Sequence, residues 1–117
     1  MQSITKIFKL LSDETRLRII ILLHQDAFCV CQLTGILNIT QPNVSKALSK
    51  LRDLDLVTDT RKEKFIYYKL KTDNPLLINT VSNILTNVKQ YPEIQRDLDK
   101  ISEKENYISI CQIDTVL

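Results

Sequence analysis

The chain has little of what interrupts regular structure: one glycine and three prolines in 117 residues. Such scarcity of turn formers favours helices joined by short connections. No apolar run approaches the roughly 18 residues that cross a bilayer, and the first nine residues do not have the pattern of a secretory signal. We therefore expect a soluble, cytoplasmic protein with no membrane partner. A chain of this length supports one domain and not two.

Catalytic motifs are also missing. The sequence has no glycine-rich phosphate loop and no nucleophile elbow, and its single histidine, His24, is not placed to pair with a cysteine thiol. The apolar fraction of 44% is ordinary for a globular protein and too high for a disordered one. These observations predict a binding protein, not an enzyme, with no obligatory cofactor.

Charge is distributed unevenly although the net charge is only +2. Residues 41–71 hold eight Lys and Arg against four Asp and Glu, a local balance of +4, whereas residues 92–117 hold three against six, a balance of −3. A basic middle and an acidic tail suit a chain with one phosphate-facing surface. We accordingly divide the chain into a DNA-binding and dimerisation domain, 1–91, and an acidic C-terminal extension, 92–117.

Apolar spacing predicts the order of the elements. Four helices come first, and the polar pair Ser12 and Asp13 supplies an N-cap before the second of them. Two β-rich segments follow, joined by a charged tip, and a long amphipathic helix starts after Asn74 and Pro75. A polar helix to about residue 104 and an extended segment from Tyr107 complete the chain. The predicted helices are 3–11, 14–24, 30–37, 41–54 and 75–90, and the predicted strands are 56–60 and 65–70.

This order predicts a mostly helical α+β fold, a winged helix-turn-helix whose wing is a two-stranded β-hairpin. The fourth helix has the character of a major-groove reading helix, because Val44, Ala47, Leu48 and Leu51 form one apolar face and polar side chains fill the other. The hairpin tip adds cations suited to phosphates. The candidate DNA-binding residues are Gln41, Pro42, Asn43, Ser45, Lys46, Ser49, Lys50, Arg61, Lys62 and Lys64.

Three stretches of the sequence resemble the ArsR/SmtB family of metal-sensing bacterial repressors: LSDETRLRIIILL, FCVCQLTGILNITQPNVSKALSKLRDLDLV and KFIYYKL. The resemblance covers residues 4–88 and implies a homodimer, formed by the first and last long helices, that binds a palindromic double-stranded operator and leaves it when an effector binds. The wing tip TRKEK departs from the family in having no glycine. A dimer also has physical support, because two amphipathic helices at opposite ends of so small a chain cannot both bury wide apolar stripes in one core.

Cys29 and Cys31 stand at the start of the third predicted helix, directly before the predicted DNA-reading helix 41–54. In the arsenical and antimonial branch of the family, and in its cadmium and lead branch, CVC at this position is a metal box. CVCQLT resembles the arsenical form CVCDLC, with Thr34 in place of the third cysteine. Thiolates suit As(III) and Sb(III), usually three of them, and also Cd, Pb and Zn. The resemblance therefore implies Cys29 and Cys31 as ligands, with Cys111 as a candidate third.

The spacing also suggests how such a site would act on DNA binding. Residues i and i+2 of an intact helix lie about 200° apart, so one ion grips both thiols only if the first turn of the helix unwinds. Three alternatives stay open. Free cysteines are commonly small buried apolar residues. A thiol near a helix N-terminus can also have a lowered pKa and sense oxidation or persulfidation, with Cys111 as the disulfide partner. Finally, winged helices also occur as modules for protein contacts alone.

Overall fold

The computed structural model describes residues 4–107 and confirms the predicted class, a mostly helical chain with a small antiparallel sheet. The helices are α1 (Ile4–Leu11), α2 (Glu14–Gln25), α3 (Val30–Leu37), α4 (Gln41–Asp53), α5 (Pro75–Thr86) and α6 (Pro92–Asp99); the strands are β1 (Phe28–Cys29), β2 (Val57–Lys62) and β3 (Phe65–Leu70). Two 3₁₀ turns, Val88–Gln90 and Lys100–Glu103, follow α5 and α6.

Helix α2 runs through the core. The carboxylate of Asp13 accepts a hydrogen bond from the backbone N–H of Arg16 at 2.9 Å, which is the N-cap that the sequence predicts. Every residue from Ile19 to Leu23 is buried, so this helix is enclosed on all sides by the others. It is therefore the scaffold against which the helix-turn-helix is held.

The turn between α3 and α4 depends on Asn38, whose φ of 55° is left-handed. Asparagine adopts this conformation more readily than most residues and often ends helices in this way. Thr40 occupies the N-cap position of α4 but makes no side-chain capping bond, and Pro42 lies in the first turn, where no intrahelical N–H is needed. The four predicted apolar residues of α4 are all buried.

The sheet differs from the predicted two-stranded wing. Its order is β1-β3-β2, and the third strand, β1, pairs Phe28 with Tyr68 and Cys29 with Tyr67. A strand of two residues has no detectable periodicity, so the sequence does not predict it. Strand β2 runs to Lys62, two residues beyond the prediction, which leaves only Glu63 and Lys64 in the loop.

The terminal helices are shorter and less buried than predicted. Helix α5 ends at Thr86 instead of residue 90. On α1, Ile7 is buried, but Ile4 and Phe8 are 64% and 53% exposed in the single chain. Helix α6 packs against α2 and buries Ile94 and Asp97.

Beyond α6, the predicted helix to residue 104 is interrupted by the 3₁₀ turn. Tyr107, the predicted start of an extended segment, is helical, and the remainder of that segment lies outside the described residues. Within residues 4–107 every helix is too short or too polar to span a membrane.

Candidate DNA interface and thiol site

The outer face of α4 is polar and open. Its candidate contacts Gln41, Pro42, Asn43, Lys46, Ser49 and Lys50 are exposed, and Ser45 is half-buried. The side-chain amide of Gln41 donates to the hydroxyl of Ser45 at 3.1 Å, so two of the candidate donors and acceptors are already oriented along the helix. The face thus presents hydrogen-bonding groups and cations together, as base edges and phosphates require.

A groove of about 540 Å³ separates this face from the start of α2. Thr15 and Arg16 line it on the α2 side, opposite Asn43, Lys46 and Lys50. The Arg16 guanidinium is anchored to the end of α1, since its Nε donates a hydrogen bond to the Leu10 carbonyl at 3.0 Å. Arg16 was not among the residues predicted from the sequence, because only the folded chain places α2 beside α4.

The wing extends the basic surface beyond α4. Its candidate contacts Arg61, Lys62 and Lys64 are all exposed. Arg52 at the end of α4 lies 3.8 Å from the carboxylate of Asp59 on β2, an exposed ion pair between reading helix and wing. The predicted DNA-binding residues therefore form two neighbouring groups, one on α4 and one at the hairpin tip.

Cys29 is the N-cap of α3 and lies at the end of β1, with only 2% of its surface exposed. Its backbone N–H donates to the side-chain carbonyl of Gln32 at 3.0 Å, and its sulfur accepts from the backbone N–H of Gln32. This reciprocal pair is a capping box with cysteine in the place usually held by serine or threonine. The buried Gln32 thus fixes the position of the thiol.

Two predictions about Cys29 are wrong. Its backbone is extended (φ −90°, ψ 170°), so Cys29 is not part of the helix, and the 200° separation along an intact helix does not apply to the pair. Burial raises the pKa of the Cys29 thiol, an effect larger than the lowering by the N–H groups of the first turn of α3. The lowered pKa expected of a reactive thiol is therefore not found.

Cys29 is a free thiol, whereas the half-buried Cys31 takes part in a disulfide. One turn beyond Cys31, the hydroxyl of Thr34 is buried and has no hydrogen-bond partner. Within residues 4–107 no three His, Cys, Asp or Glu side chains are grouped as a metal site. The candidate third ligand, Cys111, lies outside the described residues.

The thiol site adjoins the wing as well as the reading unit. Tyr67 on β3 stands opposite Cys29 in the sheet. Burial, and then the neighbouring Cys29, raise the pKa of the Tyr67 phenol. The third strand therefore brings Cys29 into the same sheet as the wing, a connection that the sequence did not reveal.

Comparison with known proteins decides the family. The model of the bacterial regulatory protein arsR family matches residues 13–59, from the cap of α2 into β2. Over 79 residues, which are 67% of this chain and 69% of the relative, the sequence is 35% identical to the arsenic resistance transcriptional regulator ArsR2 of Pseudomonas putida. The chain belongs to the arsR family. Members of this family are regulators and not enzymes, as the missing catalytic motifs predicted.

Two further relatives show how far the likeness extends. The cadmium resistance regulator CadC of Listeria innocua is 37% identical over 70 residues, 59% of each protein. The solved repressor BigR of Xylella fastidiosa superposes with a TM-score of 0.64 at 29% identity, covering 71% of this chain and 83% of BigR. The chain spans about three fifths, 59–61%, of the length of several curated relatives that it matches.

For this arsR-family chain the donor set at the start of α3 fits a soft ion. Cys29 is a thiol, and Cys31 would be a second one once its disulfide is reduced. The unpartnered Thr34 hydroxyl lies on the same side of α3 as Cys31, because residues i and i+3 of a helix are neighbours. Hard cations such as Mg²⁺ require several oxygen donors instead. The residues present therefore favour a thiophilic ligand.

Proposed function

We propose that the protein is a homodimeric transcriptional repressor that binds operator DNA through α4 and the wing and is released by a thiophilic ion bound at Cys29 and Cys31. The observation that carries the proposal is the position of Cys29, which is at once the end of β1, the N-cap of α3 and the neighbour of Tyr67 on the wing strand. An ion that moved Cys29 would displace both the helix-turn-helix, through α3, and the wing, through β3.

The DNA-binding part is supported by the exposed polar face of α4 and the three cations of the wing tip. Ten residues are proposed as contacts: Gln41, Pro42, Asn43, Ser45, Lys46, Ser49, Lys50, Arg61, Lys62 and Lys64. To these the groove adds Arg16. The side chains near the start of α4 suit base edges, and the cations of the tip suit a flanking phosphate.

The homodimer is supported by α1. Ile4 and Phe8, exposed in the single chain, stand on the helix that touches α5. A second copy would cover both side chains and place two α4 helices about one turn of DNA apart.

As(III) or Sb(III) is the proposed effector, with Cd, Pb and Zn as the other candidates. The named roles of ArsR2 in arsenic resistance and of CadC in cadmium resistance make both kinds of ion plausible ligands here. Trivalent arsenic takes three thiolates, and Thr34 stands where the arsenical form has its third cysteine, so Cys111 is proposed as the third ligand. The coupling required between ion and DNA is modest, about 1–3 kcal/mol.

A thiol-redox repressor of the same fold is the second candidate. The disulfide at Cys31 supports this candidate, because a sulfur that forms a disulfide can pass between an oxidised and a reduced form. The raised pKa of Cys29 opposes a version in which Cys29 is attacked first.

The test is fluorescence anisotropy of the reduced full chain on its own upstream promoter DNA, with arsenite or antimonite added stepwise. The proposal predicts salt-sensitive binding that the metalloid abolishes, and that persists in the Cys29→Ser and Cys31→Ser double variant. Serine is the matched control, because it keeps the N-cap of α3 while it removes the soft ligand.

The other outcomes separate the alternatives. Release by cadmium, lead or zinc alone would reassign the effector, and release by oxidant alone would establish the redox candidate. Failure to bind any duplex at low salt would leave a module for protein contacts and overturn the proposal.

A further inference from the structure

Residues 92–107, which we name the strap, follow α5 and pack across α2 and α3. The first anchor is a buried ion pair. Arg18 of α2 donates from Nε and Nη2 to the two carboxylate oxygens of Asp97, at 2.8 Å each. The same Nη2 donates to the carbonyl of Leu37 at 3.0 Å, so one guanidinium joins α6 to the end of α3.

The second anchor lies beside the thiol site. Lys104 donates to the carboxylate of Asp26 at 2.6 Å, and its ammonium group stands 5.1 Å from the centre of the Phe28 ring. Both the ion pair and the cation–π contact attach the strap to the residues that immediately precede Cys29.

The third anchor is Tyr107. Its ring lies so close to the backbone of Gly35 that a Cβ added there would clash with the ring atom Cδ1. Gly35 is the only glycine of the chain, and it occupies the interior of a helix, where glycine is unfavourable. Close approach of the ring supplies the reason for glycine at this position.

Helix geometry places this contact over the thiol site. Cys31, Thr34 and Gly35 are residues i, i+3 and i+4 of α3 and therefore share one face. Tyr107 packs on that face, and the Thr34 hydroxyl there is shielded from water without a partner. The end of the strap thus packs on the face of α3 that also carries Cys31.

We propose that the strap gates the thiol site: once the disulfide of Cys31 is reduced, a thiophilic effector reaches Cys31 when the Tyr107 end lifts from Gly35, and Tyr107 sets how often this happens. The role as effector gate rests on the function proposed above. The packing of Tyr107 on Gly35 does not, since it is a property of the fold. Local opening of this kind controls the rate at which a covered group reacts.

The test measures the rate at which a disulfide reagent modifies Cys31 in the reduced full chain. A Cys111→Ser background leaves Cys29 and Cys31 as the reacting thiols, and Cys29→Ser then isolates Cys31. In this background we expect Tyr107→Ala to accelerate the reaction of Cys31 about tenfold or more, because the reaction rate follows the open population. Tyr107→Phe, which keeps the ring, should react at the rate of the parent.

A double-variant cycle gives a second, independent measurement. Gly35→Ala should lower the thermal midpoint and accelerate Cys31, because its methyl group displaces the Tyr107 ring. In the Tyr107→Ala background the same substitution should raise the midpoint, since alanine is the better helix former once the ring is gone. A change of sign between the two backgrounds is the signature of the contact.

Equal Cys31 rates in the parent and Tyr107→Ala would overturn the proposal, and so would a Gly35→Ala effect of the same sign in both backgrounds. If the Gly35→Ala single variant fails to fold because of the clash itself, a folded Gly35→Ala, Tyr107→Ala double variant supports the contact, and an unfolded double variant contradicts it. None of these measurements uses DNA or a metal ion, so loss of the proposed repressor function would leave the strap result standing.

Discussion

Arg18 and Asp97 form a two-point ion pair, 79 residues apart in sequence, with both N···O distances at 2.8 Å. The Asp97 side chain is 3% exposed and that of Arg18 14%. Hydrogen bonding to Asp97 raises the pKa of the Arg18 guanidinium, so the charge of the arginine is secure at any ordinary pH. This pair fixes an acidic helix, which the sequence assigned to a separate extension, against the central helix of the domain.

Removal of the carboxylate should destabilise the fold. For Asp97→Ala we expect a loss of up to about 3–5 kcal/mol in the free energy of unfolding, because Arg18 would remain buried without its partner. Urea denaturation followed by circular dichroism measures it. The matched control is Glu93→Gln, since Glu93 is half exposed and 3.8 Å from Arg18, and it should cost less than about 1 kcal/mol. Equal losses in the two variants would contradict the assignment of the pair.

The strap also predicts a pH effect at Asp26. Hydrogen bonding to Lys104 lowers the pKa of the Asp26 carboxyl, so its contribution to stability is present above the unfolded value of 3.8 and is lost as the pH falls through the folded value. In Lys104→Met the pKa of Asp26 should rise, because the largest cause of its lowering is removed. Carboxyl chemical shifts followed by NMR during an acid titration measure this. An unchanged Asp26 pKa would show that the strap is not docked in solution.

The wing tip should gain stability from glycine at one position only. Glu63 adopts a φ of 59°, which costs a residue with a side chain about 1–2 kcal/mol. Glu63→Gly removes this strain and loses part of the gain to backbone entropy, so we expect a net rise of about 0.5–1 kcal/mol. The neighbour Lys64 has no positive φ, and Lys64→Gly should lower stability instead. Thermal unfolding of the two variants compares them, and a gain from both would argue against the turn described.

Ion binding at the thiols should depend steeply on pH. Because burial raises the pKa of Cys29, its thiol is protonated at neutral pH and must lose that proton to bind an ion. Affinity for Cd²⁺, read from thiolate charge-transfer absorption, should therefore rise about tenfold per pH unit for each proton released. Cys29→Ser should reduce this slope by one proton. An unchanged slope would remove Cys29 from the ligand set.

Substitutions on α4 should separate base reading from phosphate contact. Asn43→Ala should weaken binding to the cognate operator by about 1–3 kcal/mol and have little effect on other duplexes. Lys50→Ala should weaken binding to every duplex and lower the salt dependence by about one unit per contact. Anisotropy titrations at several salt concentrations measure both effects, and identical salt slopes for Lys50→Ala and the parent would place that lysine away from phosphate.

The spacing of apolar residues predicted most of the helices and strands. Helices α1 to α4 begin and end within one or two residues of their predicted bounds, because caps such as Asp13 and a run of apolar residues mark them locally. The sequence also predicted that a hairpin follows α4. It did not predict the length of the strands, since alternating residues such as Thr58 and Thr60 do not show where pairing stops.

Features that depend on distant contacts could not be predicted. Nothing local distinguishes Asp97 from the other acidic residues of the C-terminal segment; only the fold places Arg18 opposite it. The glycine at 35 carried a signal, because a glycine inside a helix demands a reason, but the sequence does not say which ring occupies the space. Likewise, the raised pKa of Cys29 follows from its burial, which motif spacing does not reveal.

The pairing of β1 with β3 has a consequence for how tightly the protein holds its wing. An isolated two-stranded hairpin is marginal in water, and a third strand is what makes a small sheet independently stable. Here that third strand consists of two residues, and one of them is Cys29, the proposed ligand. A ligand that pulled Cys29 out of line would leave β2 and β3 to persist by themselves. The wing would then exchange its amide hydrogens faster and adopt many orientations. Ordering it on DNA would cost conformational entropy, so an effector would lower DNA affinity without blocking the wing.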